Sequence, residues 1–150
     1  MSHLDLTAAT TIVDEALAEA RRRSFSPMAV AVLDAGAHLV AFKREDEAGL
    51  LRAQIAIAKA SGSLGMGYSS RELTKRANSA PLFYTALFAI SGGGVAPSPG
   101  GVLIRDTAGR IIGAVGISGD TGDADEVCAI AGVVASGLIA DHDGTPVAQA

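Results

Sequence analysis

Apolar residues follow two rhythms along this chain, one helical and one strand-like, and the order in which they alternate predicts the fold. Over residues 6–23, Ile12, Val13, Ala16, Leu17 and Ala20 recur as one stripe of an amphipathic helix. Thr7 is its expected N-cap, and Arg21, Arg22 and Arg23 close it where cations favour the helix C-terminus. Residues 28–33 (MAVAVL) form a continuous apolar strand, Asp34-Ala35-Gly36-Ala37 turns the chain, and residues 38–43 return as a second strand. Both strands read as apolar on both faces, so both faces should be covered.

Residues 47–66 predict a second helix with Leu50, Leu51, Ile55, Ala58 and Leu64 on its buried side. Ser69 and Glu72 have capping-box spacing and open a short helix to about residue 78; Pro81 suits the first turn of the next, which continues through residues 82–90. The stretch 91–99 (SGGGVAPSP) breaks all regularity. Two more strands follow, residues 101–105 and 110–118, joined by Asp106-Thr107-Ala108-Gly109. This hairpin echoes the first, each with an Asp entering the turn and a Gly leaving it. A long apolar helix over residues 123–140 completes the pattern, and residues 1–5 and 141–150 read as loose ends. Two hairpins require antiparallel pairing. The expected fold is therefore a single domain over 1–150, α/β of the α+β type, in three layers: a central antiparallel sheet of two hairpins flanked by helices on both faces.

Composition sharpens this picture. Apolar residues make up 49% of the 150 and aromatics only 4%, so the layers must be packed with small side chains at close range. Gly113, Gly116 and Gly119 recur every third position in and just after the last apolar strand. Glycine there implies close approach of another backbone or a ligand. Ala and Gly in AIAGVVASGLIA would likewise allow another chain to come near. Net charge is −4 with no basic stripe, which argues against nucleic acid. No apolar run reaches membrane-spanning length and the N-terminus has no signal-peptide pattern, which points to the cytoplasm. Cys128, the only cysteine, lies in an apolar helix and reads as a small buried hydrophobe.

Signatures of common cofactor enzymes are missing. Gly116-Ile117-Ser118-Gly119-Asp120 fails G-x-S-x-G at its last position, no P-loop is present, and the spaced glycines lack dinucleotide-binding context. The Pro99-Gly100-Gly101 turn and the 118–122 segment offer backbone N–H groups, but Asp120, Asp123, Asp125 and Glu126 crowd the same place. They would cap the helix or fix the turn in competition with a bound anion.

Three blocks taken in order carry a resemblance. VAVLDAGAHLVAFKRED holds Asp34, Gly36, His38, Arg44 and Asp46; IAKA holds Lys59; and Pro99-Gly100-Gly101 is followed by GAVGISGDTGDADE. From residue 6 to about 137 the chain resembles the GlcG/HbpS-like (DUF336) family of small haem-binding proteins, which includes the C-terminal domain of PduO-type adenosyltransferases. Ala37 stands where that family usually carries a second glycine. The resemblance implies a helix-flanked antiparallel sheet, homo-oligomers from dimer to octamer, and haem or a related tetrapyrrole as ligand. His38, Arg44, Lys59, Pro99, Gly100 and Gly101 are then the ligand-binding candidates, with His38 a possible iron ligand. Arg44, Lys59, Arg76 and Arg105 could meet carboxylates. The alternative is a cofactor-free isomerase, lyase or hydrolase of a small organic acid. There His38 would be the general acid/base and Arg44 or Lys59 would orient a carboxylate.

Overall fold

In the computed structural model, which describes residues 3–144, the first helix, α1 (Leu6–Arg22), begins at Asp5. The Asp5 carboxylate accepts the Ala8 amide at 2.7 Å, so Asp5 and not Thr7 is the cap. An ionised oxygen is the stronger acceptor for the helix's free N–H groups. At the other end Arg21 donates to the Phe25 carbonyl at 2.6 Å, as its position at the helix terminus predicts.

The chain continues as β1 (Ala29–Asp34), β2 (Leu39–Arg44), α2 (Arg52–Met66), α3 (Ser70–Ser79), α4 (Pro81–Ile90), β3 (Gly101–Arg105), β4 (Ile111–Ser118), α5 (Gly122–Ala135) and β5 (Ile139–Asp141). The strands form one sheet in the order β2-β1-β4-β3-β5, antiparallel throughout. Helices α1 and α5 cover one face; α2 lies across β4, β1 and β3 on the other. The three-layer α+β architecture expected from the hairpins is the one observed.

The two faces are packed differently. Against α1 and α5, the sheet presents Val30, Val32, Val102, Ile104, Val115 and Ile117 to Ile12, Val13, Cys128 and Val133, the main core. The α2 side is lined by Ala29, Ala31, Ala56 and Ala60, with glycines in the facing strands. A methyl group built on Gly116 would overlap the Ala56 carbonyl oxygen and lie 2.9 Å from the Ala60 nitrogen. The close approach implied by Gly116 is thus of helix backbone to sheet backbone.

Several sequence expectations change. The helix expected from residue 47 starts at Arg52. Glu45 is held to Met28, its amide donating to the Met28 carbonyl and its carboxylate accepting the Met28 amide, both at 2.9 Å. Glu47 has φ 69°, which no helix accommodates. Leu50 and Leu51 therefore stand outside the helix and are exposed, Leu50 to 88%. Strand β2 is an edge strand with an open outer side, whereas β1 is buried on both faces.

The last helix stops at Ala135 because Gly137 takes φ 82°, and the apolar residues beyond it form β5 along β3. The small residues of α5 serve an internal contact: a Cβ on Gly132 would lie 3.2 Å from the Ile12 carbonyl carbon, so their close neighbour is α1 of the same chain. Of the ends read as loose, Leu4 is buried in the core and Asp141 lies in β5, while residues 1, 2 and 145–150 lie outside the described residues.

The hairpins are alike, but not through the glycines first matched. In each, the entering aspartate accepts two amides of the turn: Gly36 and His38 on Asp34, Ala108 and Arg110 on Asp106. The left-handed residue is fourth in each turn: Gly109 (φ 83°) in one and Ala37 (φ 63°) in the other. Ala37 thus carries strain a glycine would not. Ala37→Gly is expected to stabilise the fold by about 0.5–1 kcal/mol, net of the glycine's extra unfolded-state entropy. Chemical denaturation would show the midpoint rising with an unchanged slope. A fall in the midpoint would refute the strain.

Candidate functional site

Lys59 is on the face of α2 turned to the sheet, with its side chain 3% exposed. Its ammonium donates to the Ile117 carbonyl and to Asp125, each at 2.9 Å, and Asp125 is itself only 1% exposed. The second Asp125 oxygen accepts the Asp120 amide at 2.9 Å, so the carboxylate fixes the turn before α5 as expected. Burial pushes the Lys59 ammonium below its usual value and Asp125 above the usual carboxylate value, each opposed by the attraction of the other. Gly100 sits against this pair with φ 123°; a Cβ there would lie 2.9 Å from the Lys59 nitrogen. A Cβ on Gly101 would come just as close to the Ser63 hydroxyl, and the Gly101 amide donates to the Ser70 hydroxyl oxygen at 2.7 Å. Lys59, Pro99, Gly100 and Gly101 thus share one neighbourhood, and the lysine's anion is already supplied by the chain.

His38 lies elsewhere. It follows the β1–β2 turn, its side chain is 80% exposed, and its Nδ1 is 3.1 Å from Asp34 Oδ1. Amides of His38 and Gly36 hold Asp34 below the usual carboxylate range. An ionised carboxylate only accepts, so Nδ1 carries the proton and Nε2 is left unencumbered. The shallow cavity beside it, about 240 Å³, is lined by His3, Leu4, Asp34, Ala35, Gly36, His38 and Ile112. Neither Arg44 nor Lys59 reaches it. His38, Arg44 and Lys59 therefore do not converge on one enclosed substrate.

Arg44 is at the opposite end of β2, about 17 Å from Leu39 at ~3.3 Å per residue. Its guanidinium donates to the Ala48 carbonyl at 3.2 Å. The register aligns Arg44 with Ala29 of β1 and Ser118 of β4, all on the α2 side. Arg52, the first residue of α2, donates to the Ser118 hydroxyl at 3.0 Å and so joins the same row. Sequence reasoning missed Arg52 because the helix was started at residue 47. Its signal is a cation in a first helical turn, where the dipole disfavours positive charge.

Of the other cations considered, Arg76 pairs with Glu72 at 3.0 Å and lies over the Tyr68 ring at 4.3 Å, and Arg105 pairs with Asp141 at 2.8 Å. Both line a polar cleft of about 410 Å³ that Tyr68, Ser69 and Gly67 also border. A neighbouring groove of about 490 Å³ runs between α3 and α4 past Lys75, Phe83 and Tyr84. The Tyr68 and Tyr84 hydroxyls meet at 2.7 Å, and burial, reinforced by Tyr84, pushes Tyr68 up to about 12. His142, like His3, is near an end of the chain; its ring is mostly covered and its Nε2 lies 3.5 Å from Asp143. Cys128 is buried and its thiol is pushed up to about 12 by desolvation, in keeping with an inert core residue. No described helix is long and apolar enough to cross a membrane.

The fold and these sites define a small α+β domain with a tightly packed interior. Residues 4–134 match the family model described as haem-degrading protein HbpS-like, and the chain belongs to the HbpS-like family. Among solved structures, HbpS superimposes with a TM-score of 0.76 at 28% identity, over 88% of this chain and 89% of that one. The PduOC–haem complex gives a TM-score of 0.82 at 24% identity, over 91% and 96%. The DUF336 protein ORFY from Klebsiella pneumoniae gives 0.82 at 22%, over 91% and 92%. None of the curated protein sequences compared matches the chain.

Proposed function

We propose that this protein binds haem on its surface, as a homo-oligomer. The observation that carries the reading is family membership across residues 4–134, in a family described by haem chemistry. The side chains fit it. His38 is oriented through Nδ1 by Asp34, the second-sphere arrangement that fixes the ring of a ligating imidazole, and its Nε2 points away from the carboxylate, free to meet iron. Self-association is supported by α4, where Leu82, Phe83, Phe88 and Ile90 are all exposed and only Tyr84 is buried. Large apolar side chains exposed together on one helix mark a contact site.

Titration of the purified protein with hemin, followed in the Soret region, tests the reading. A saturable Soret shift is expected, with a changed band position in His38→Ala. Light scattering on the same sample should give a mass above 15.0 kDa. No Soret change at any ratio would end the haem reading. A shift identical in His38→Ala would remove His38 as the iron ligand.

A further inference from the structure

Ten of the twelve Lys and Arg residues have a carboxylate within 4.0 Å; among the described residues Arg44 and Arg52 do not. Both lie at one end of the same face. Arg44 and Ser118 flank Ala29 in one cross-strand row, about 10 Å apart across two strand spacings, and Arg52 is tied to the Ser118 hydroxyl. Asp120 and Asp125 act on Arg52 at longer range, but Asp120 accepts the Ser26 and Thr121 amides and Asp125 holds Lys59. Two guanidiniums in a charge-paired molecule thus hydrogen-bond only to neutral oxygens, the Ala48 carbonyl and the Ser118 hydroxyl.

The surface leading away from them is apolar and open. Phe42 is on the same side of β2 as Arg44, opposite Ala31. The register then shifts between Val32 and Leu33, so that Leu39 faces Leu33 and joins Phe42 on that side, while Val40 packs into the core opposite. Phe42 and Leu39 are exposed, as are Leu50 and Leu51 in the loop before α2. The strip runs from Arg44 through Phe42 and Leu39 to the hairpin that carries His38. A flat apolar body with two anionic groups on one edge matches it in both charge and shape.

We infer that the uncovered α2-side face of β2 seats the haem proposed above, with Arg44 and Arg52 receiving its two carboxylates and Phe42 and Leu39 supporting the ring. The assignment rests on the haem reading. Guanidinium–carboxylate bonds at a half-open surface give orientation as well as affinity.

The test compares hemin with hemin dimethyl ester, in which both carboxylates are blocked, at a fixed co-solvent content. Wild-type protein is expected to bind hemin at least tenfold more tightly than the ester. The double variant Arg44→Gln/Arg52→Gln is expected to lose that preference while binding the ester as wild type does. Equal affinity of wild type for acid and ester overturns the assignment without any substitution. So does a folded double variant with undiminished hemin affinity; in both cases haem binding itself stands. No Soret response from wild type with either compound overturns the assignment and the haem reading together.

Discussion

Gly116→Ala is expected to lower the thermal midpoint by about 10 °C, from a loss of about 3 kcal/mol or more. The new methyl would overlap the Ala56 carbonyl oxygen and lie 2.9 Å from both the Ala56 carbonyl carbon and the Ala60 nitrogen. All three are backbone atoms in the middle of a helix, so no side-chain rotation relieves the clash. Either α2 lifts from the sheet, undoing the contacts of Ala29, Ala31, Ala56 and Ala60, or β4 bends away from β1 and β3. Gly65, also in α2, provides the control. Nothing would lie within 4 Å of a Cβ there, and Gly65→Ala should stabilise by about 0.5–1 kcal/mol through helix propensity alone. Thermal unfolding followed by circular dichroism measures both. A Gly116→Ala midpoint within a degree or two of wild type would show that the layers are not in backbone contact.

Lys59→Met should cost about 3–5 kcal/mol at pH 7, because it leaves Asp125 buried without its cation. The loss should depend on pH in a defined sense. Asp125 is already held above the usual carboxylate value by burial, with Lys59 as the main opposing influence. Removing Lys59 raises it further. A group raised in the folded state contributes stability when protonated and loses it as pH rises through the folded value. The deficit of the variant relative to wild type should therefore shrink as pH falls from 7 toward 5. Lys59→Met/Asp125→Asn removes both charges, and the Asn carbonyl can still accept the Asp120 amide. It should recover most of the stability at pH 7. Urea unfolding at several pH values decides the matter: a pH-independent deficit, or a double variant no better than the single one, would contradict a buried ion pair.

The sequence was legible where local chemistry and global packing agree. The Ser69–Glu72 cap, Pro81 at its helix start and both hairpins need only near neighbours, and they lie where periodicity and turn residues put them. Long-range events were invisible. Nothing local signals that Glu45 is pinned to Met28, yet this delays α2 by a turn, exposing Leu50 and Leu51 and placing Arg52 in a first turn. The same holds for β5, whose residues extend a helical rhythm until Gly137 reverses the chain and β3 offers an edge. At the candidate site, spacing could nominate His38, Arg44 and Lys59 but not their surroundings. That Lys59 faces a buried aspartate 66 residues away, while Arg44 faces open surface, depends on the layering of the sheet.

The separation of α2 from the sheet also decides how any large flat guest could be held. Helix and strand backbones in contact leave no slot between the layers, and the α1–α5 side is filled by branched side chains. Such a guest would lie on the wall rather than in a chamber, gripped from one side, with its other side turned to water or to a second macromolecule. Loading and unloading would then need no door. The guest could pass by direct hand-over between apposed surfaces, at a rate set by how often those surfaces meet and not by any opening of the fold.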